Sequence, residues 1–158
     1  MKDIKIAIID MEWTTWVGSH KRKWSLKWEK KEIVQIGIVQ SKNLEKIDKT
    51  LNLLFKIKKN KLSYYFQILT GIGQSKYNSY AKSFIENFKI LKSILENTDV
   101  ILCNGHDKEI LIENLKLNNI KVPMSINKIK NIRPILSKIL KIKQEKIISS
   151  ELPNLLGL

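Results

Sequence analysis

Apolar and polar positions follow two different periods along this chain. Ile4–Asp10 (IKIAIID) is a β-branched run short enough for a buried strand, and Ile33–Gln40 (IVQIGIVQ) is a second. Gly37 inside that second run marks a bulge or a close backbone approach. A third strand is expected over Thr50–Ile57, and a long polar and aromatic loop, Trp13–Lys31, separates the first two. The period then changes. From Tyr80 to Glu96, Phe84, Phe88, Leu91 and Leu95 recur at steps of four, three and four, one face of a helix. Asp99–Asn104 (DVILCN) reads as another buried strand. It leads into a helix over His106–Leu117, with Ile110, Leu111 and Leu115 as its apolar face. A fifth strand is expected over Met124–Ile129, then a helix over Arg133–Ile142 with Pro134 in its first turn. The segment SELPNLL, from Ser150, opens one more helix.

Three strands followed by alternating helix and strand predict an α/β sandwich with a mixed sheet. Strands joined by short loops should be antiparallel neighbours, and those joined by a helix parallel. The 158 residues are enough for one domain, 1–158, with a core that needs no disulfide or structural metal.

Charge narrows the range of partners. Twenty-nine basic against 15 acidic residues give +14, with an isoelectric point near 9.8, which favours a polyanionic partner. Only Arg22 and Arg133 of the basic residues are arginine, and lysine, isoleucine and asparagine are all abundant. An AT-rich genome writes the same surplus into any protein, so the charge has two readings. Cys103 is the single cysteine, which excludes a disulfide framework and a cysteine-based zinc site. The N-terminal run is broken by charge and has no small-residue cleavage site, and no stretch approaches the ~18 apolar residues of a membrane span. A cytoplasmic, soluble protein with no membrane partner is expected.

Candidate chemistry begins with Asp10 and Glu12. Two residues apart at the end of the first strand, they share one face. Paired carboxylates repel each other unless a cation lies between them, and hard oxygen ligands suit Mg²⁺ or Mn²⁺. As an isolated pattern, D-x-E is commonly a solvated pair. Asp107 follows a central strand and begins a helix, which places it at the carboxyl edge of the sheet, where α/β ligand sites concentrate. An ordinary acid at a helix start is its other reading. Three carboxylates on one edge of a basic protein point to two-metal phosphoryl chemistry.

Four ordered segments add a resemblance. Ile8-Ile-Asp-Met-Glu-Trp-Thr resembles the first exonuclease motif of the DEDD superfamily of 3′–5′ exonucleases, of the ribonuclease T and proofreading type. Glu32-Ile-Val-Gln-Ile-Gly-Ile-Val looks like that family's second strand, and Phe66-Gln-Ile-Leu-Thr-Gly-Ile its LTGI segment. Asn104-Gly-His-Asp-Lys-Glu-Ile-Leu is similar to the second exonuclease motif. The resemblance implies a ribonuclease H-like fold and metal-dependent hydrolysis at single-stranded RNA or DNA 3′ ends. It implies that Asp10 bridges two metal ions, that Glu12 holds the one activating water, and that Asp107 supports the other. Trp13 and Thr14, with Leu69 and Ile72, would cradle the terminal nucleotide, aromatic and apolar platforms being stackable by any base. Core packing is the alternative for Leu69 and Ile72.

The family's last motif, a helix with a fourth aspartate preceded by a histidine or tyrosine, has no counterpart here. The resemblance puts that histidine five residues, or that tyrosine four, before the aspartate; neither His20 nor His106 precedes an aspartate by five, and no aspartate follows Asp107. In relatives a segment like LPNLLGL precedes that motif, so the domain is expected to lack the final helix and to leave an apolar sheet face open. A truncated chain, a split protein and a binding relic without catalysis are the three explanations. His106 is either a replacement base or an ordinary helix-start histidine. A protein partner over the open face, or a homodimer, belongs to the same expectation.

The loop Ser19–Lys31 interleaves Trp24 and Trp28 with His20, Arg22 and five lysines. It reads as a single-strand-binding element, with Arg22 and Trp24 contacting substrate, or as a helical turn anchored by its tryptophans. Three classes of function therefore remain: an exonuclease, a nucleic-acid-binding module of the same fold, and a partner-docking scaffold.

Overall fold

Successive residues of the first strand, β1 (Lys5–Trp13), meet opposite environments. Ala7, Ile9 and Met11 are buried, whereas Ile8 and Asp10 are exposed. The computed structural model describes residues 3–58 and 61–157; Met1, Lys2, Lys59, Asn60 and Leu158 of the expected 1–158 domain lie outside the described residues. β2 (Ile33–Lys42) pairs antiparallel with β1, and β3 (Lys46–Leu54) antiparallel with β2. β4 (Val100–Cys103) and β5 (Ile129–Asn131) add in parallel on the other side, giving the order β3-β2-β1-β4-β5. This is the mixed α/β sheet that the pattern predicts, including which neighbours are parallel.

Helices α1 (Ser19–Arg22), α2 (Tyr64–Thr70) and α3 (Gln74–Tyr80) precede the two that build the main core, α4 (Phe84–Asn97) and α5 (Asp107–Leu117). Phe84, Phe88, Leu91 and Leu95 of α4 and Ile110, Leu111 and Leu115 of α5 pack on the face carrying Ala7, Ile9 and Met11. A second cluster joins Val34 and Leu54 to Phe66, Ile72, Tyr77 and Ala81 from α2, α3 and their connections. α6 (Arg133–Leu140) and α7 (Leu152–Leu156) bury no residue fully. The opposite sheet face leaves Ile8 45% exposed. Among the described residues, no helix is long and apolar enough to cross a membrane.

Four expectations need correction. The third strand begins at Lys46, because Asn43 and Leu44 take positive φ (54° and 61°) and turn the chain without a glycine. The helical period from Tyr80 crosses a break. α3 ends at Tyr80, Lys82 bridges to Phe55, and Ser83 with Glu86 forms a capping box that starts α4 afresh. The fifth strand shrinks to Ile129–Asn131, since Met124–Lys128 winds into a 3₁₀ turn after Pro123. Gly37 is no bulge. Bulges lie between Glu12 and Trp13 and between Gln40 and Ser41, and Gly37 sits directly opposite Asp10. Cross-strand partners share a face, so Gly37 leaves the space beside the Asp10 carboxylate free of a side chain.

Asn114 ties the second strand to α5. Its Oδ1 accepts from the Ile33 amide (2.9 Å), and its Nδ2 donates to the carbonyls of Lys31 (2.7 Å) and Ile110 (2.9 Å). Buried as it is, removing it strands the Ile33 amide and the Lys31 carbonyl. Asn114→Ala should lower the unfolding free energy in urea by about 1–3 kcal/mol. Asn114→Asp, which keeps an acceptor but loses both donors and buries a charge, should cost at least as much. A loss within about 0.5 kcal/mol of zero, the range of ordinary surface changes, would contradict this role.

Candidate active site

β1 and β4 run parallel in the register Ile6–Val100, Ala7–Ile101 and Ile8–Leu102, so their carboxyl ends reach the same edge of the sheet. β1 is the longer and continues to Trp13 after β4 ends at Cys103. Beyond that point the Met11 amide has no strand partner on the β4 side. The Asp107 carboxylate takes it instead, Oδ1 accepting at 3.0 Å in a buried position. The sequence between them turns at Gly105, whose φ of +140° favours glycine and whose absent Cβ would lie 2.9 Å from Arg133 Nη2. The Asn131 Oδ1 fixes this turn by accepting from the Gly105 amide (3.1 Å) and the Arg133 amide (2.9 Å).

Asp10 and Glu12 project from the open face of β1 toward the same place. Burial raises the pKa of Glu12 to about 7, and the charges of Asp10 and Asp107 add to the shift. Burial also raises Asp107 to about 6, with Asp10 adding, while its own amide, the Met11 amide and Arg133 act in the opposite direction. Asp10, though exposed on its strand, is raised by partial desolvation within the cleft, against a hydrogen bond from the Ser149 hydroxyl to its Oδ1 (3.4 Å). The mutual coupling places the three carboxylates in one electrostatic unit.

Two adjoining cavities share Asp10, Met11, Trp13, His20, Ile148 and Ser149. One, of about 370 Å³, adds Glu12, Thr15 and Leu69. The other, of about 330 Å³, adds Trp24, Asn104, His106, Asp107 and Arg133. Larger hollows elsewhere on the surface contain none of the three carboxylates.

The residues expected to touch substrate divide into two groups. Trp13, half-buried, and Leu69, 54% exposed, face the cavity beside Asp10 and Glu12. Trp24 lines the second cavity, with its ring near Trp13 (centroids 6.1 Å), His20 (4.7 Å) and the Lys31 ammonium (5.2 Å). Its indole nitrogen is engaged in donating to the Thr14 carbonyl (2.9 Å). Thr14 and Ile72 are instead interior. Thr14 Oγ1 donates to the Lys30 carbonyl and accepts from the Glu32 amide (3.0 Å), and Ile72 belongs to the second core. Arg22 pairs with buried Glu29 (2.5 Å) and donates to the Val17 carbonyl (3.1 Å), so its head group holds the loop together. Ser19 completes that knot by donating to Glu29 Oε1 (2.9 Å).

The sequence did not single out Ser149, gave Asn104 no role beyond opening the motif of Asp107, named His20 only within the binding loop, and did not place Arg133 in the site. His20 comes from α1 and Arg133 from the start of α6, and no spacing links either to the carboxylates. His106 stands at the start of α5 with Nδ1 3.9 Å from Glu109. The donor chemistry of the site, three hard carboxylate groups raised first by desolvation and, at Glu12 and Asp107, also by their acidic neighbours, fits a divalent cation. Among the described residues, no three acidic, histidine or cysteine side chains stand close enough to enclose such an ion as they are placed.

No family model and no curated protein matches the chain. Solved structures do. A 3′-exonuclease in a structure titled for 3′-end-specific recognition of histone mRNA stem-loop is 22% identical with a TM-score of 0.76, over 91% of this chain and 51% of that one. A full-length 3′-exonuclease is 21% identical with a TM-score of 0.82, over 100% of this chain and 72% of the other. Cell-death related nuclease 4 is 19% identical with a TM-score of 0.70, over 87% and 48%. The chain thus spans about half the length of the first and third of these, and it has their fold, the ribonuclease H-like fold that the four sequence segments imply.

The raised carboxylates carry a testable sign. Glu12, about 4.5 when unfolded and about 7 when folded, binds its proton more tightly in the native state. Its stabilising contribution is therefore full below pH 4.5 and lost as pH rises through 7. In EDTA, Glu12→Gln should melt at a higher temperature than the wild type at pH 7.5, and the gap should close near pH 4.5. A gap that does not change with pH would show that Glu12 is not electrostatically strained.

Proposed function

We propose that this chain is a single exonuclease-type domain that hydrolyses single-stranded RNA or DNA from the 3′ end with divalent metal ions. The observation that carries this reading is the convergence of Asp10, Glu12 and Asp107 at one sheet edge of an exonuclease fold, with Asp107 hydrogen-bonded into β1 itself. The net charge of +14 supports a polyanionic substrate, as a basic surface raises the local concentration of nucleic acid.

Each residue group has a distinct task in this scheme. Asp10, Glu12 and Asp107 would hold Mg²⁺ or Mn²⁺, which supplies Lewis-acid stabilisation and an activated water in phosphodiester hydrolysis. Trp13 and Leu69 form apolar walls on which the terminal base stacks, without selecting among bases. Trp24, braced by the Thr14 carbonyl and flanked by Lys31, adds an aromatic ring to the adjoining cavity that shares Asp10. Thr14, Arg22 and Ile72 act at one remove, by fixing the loop and the helix that carry the walls. Gly37, opposite Asp10, keeps the approach to the carboxylate open.

The direct test is a time course on a 5′-labelled single-stranded oligonucleotide, as RNA and as DNA, with Mn²⁺ or with EDTA. Stepwise shortening from the 3′ end that needs the metal is expected. Asp10→Ala and Asp107→Asn should each slow it by more than about 100-fold, the upper range for losing a residue that merely supports a metal ligand. Metal-independent cleavage, or cleavage that survives Asp10→Ala, would refute the scheme. Binding without any shortening would favour a non-catalytic nucleic-acid module of the same fold.

A further inference from the structure

We infer that Arg133 is the phosphate-holding residue of this cleft, gripping a backbone phosphate of the strand beside Asp107; the assignment rests on the nucleic-acid reading above. Arg133 is the first residue of α6, and its half-buried side chain reaches back over the turn that follows β4. There Nε donates to Asn104 Oδ1 (3.1 Å) and Nη2 to the Asn104 carbonyl (2.6 Å). Its amide is pinned to the Asn131 Oδ1 that also holds the Gly105 amide. The head group is therefore set in place from two sides before any ligand arrives.

Two of its N–H bonds are engaged in this way, which leaves three of the five that a guanidinium carries. Among the described residues, no carboxylate lies within ion-pair distance of Arg133, although it lines the same cavity as Asp10 and Asp107. A positioned fork with spare donors, unpaired and on the wall of a cleft, matches the bidentate geometry of a phosphate. The chain's other arginine makes the contrast. Arg22 is neutralised by Glu29 and serves its own loop. Trp13 and Trp24 line the same cavity, so a strand lying in it would have a cation for its phosphate and aromatic rings for its bases. The cation also offsets the repulsion between that phosphate and the acidic floor of the site.

The competing role is structural, a clamp on the Asn104–Gly105 turn, and salt dependence separates the two. Fluorescence anisotropy of a 5′-fluorescein single-stranded oligonucleotide in EDTA, across a range of salt concentrations, reads binding without cleavage. For Arg133→Met, the slope of log K against log salt should fall in magnitude by about 0.7, the value of one phosphate contact on a single strand. Lys49→Met, on the exposed edge strand β3, should leave it unchanged. Arg133→Lys, which keeps the charge and a donor but loses the fork, should keep the slope and bind several-fold more weakly.

An unchanged slope in a folded Arg133→Met protein, or an equal fall in Lys49→Met, would overturn the assignment. Should Arg133→Met fail to fold, wild-type affinity in Arg133→Lys overturns it. A wild-type chain that binds but never shortens the strand defeats the nuclease reading alone, and the slopes still decide Arg133. A wild-type chain that does not bind single strands defeats both.

Discussion

The hydrogen bond from the Met11 amide to Asp107 Oδ1 joins the two halves of the site across 96 residues of sequence. It exists because β4 stops short of β1, which leaves a backbone donor exposed at the edge of a parallel pair. A buried amide must find an acceptor, and the first residue of the next helix supplies one. That single contact fixes the start of α5 against the strand that carries Asp10 and Glu12. It also explains why an acid in a charged cluster can stay buried: the amide of Met11 and the start of its own helix both favour its ionised form.

The segment between β1 and β2 shows the opposite arrangement, with polar groups used to build a surface. Glu29 is buried and gathers Arg22, Ser19 and the Leu26 amide around its carboxylate. Thr14 links the loop's beginning to its end through Lys30 and Glu32. These contacts hold Trp24 upright at the cleft and pair Trp16 with Trp28, centroids 5.0 Å apart, further along. A loop this rich in lysine would otherwise repel itself. The buried glutamate gives it a centre.

Arg133 and Gly105 illustrate how the same few atoms serve position and chemistry together. The glycine is favoured by its φ of +140°, and its missing Cβ leaves the guanidinium room to pass. The guanidinium in turn is oriented by Asn104, whose own Nδ2 reaches Ser149 (3.2 Å), which reaches Asp10. Turn, cation and carboxylate therefore form one connected network around the cavity rather than separate features.

Much of this was legible in the sequence. The strand runs at Ile4–Asp10 and Ile33–Gln40, the α4 stripe of Phe84, Phe88, Leu91 and Leu95, and the mixed topology follow from periodicity, because burial on one face of a strand or helix repeats at a fixed interval. The placing of Asp10, Glu12 and Asp107 at one sheet edge follows the same way, since period and strand-end position are local properties. What remained hidden is what depends on contacts between distant segments. Sequence pattern cannot show that Arg22 would be neutralised by Glu29, that of Leu69 and Ile72 only the second would be core, or that Gly37 would face Asp10. Nor does any spacing bring His20 and Arg133 to the carboxylates. The chain by itself determined which residues could face the same edge of a sheet. Only the tertiary structure decided which side chains are free there, because a polar group's availability depends on whether folding gives it a partner.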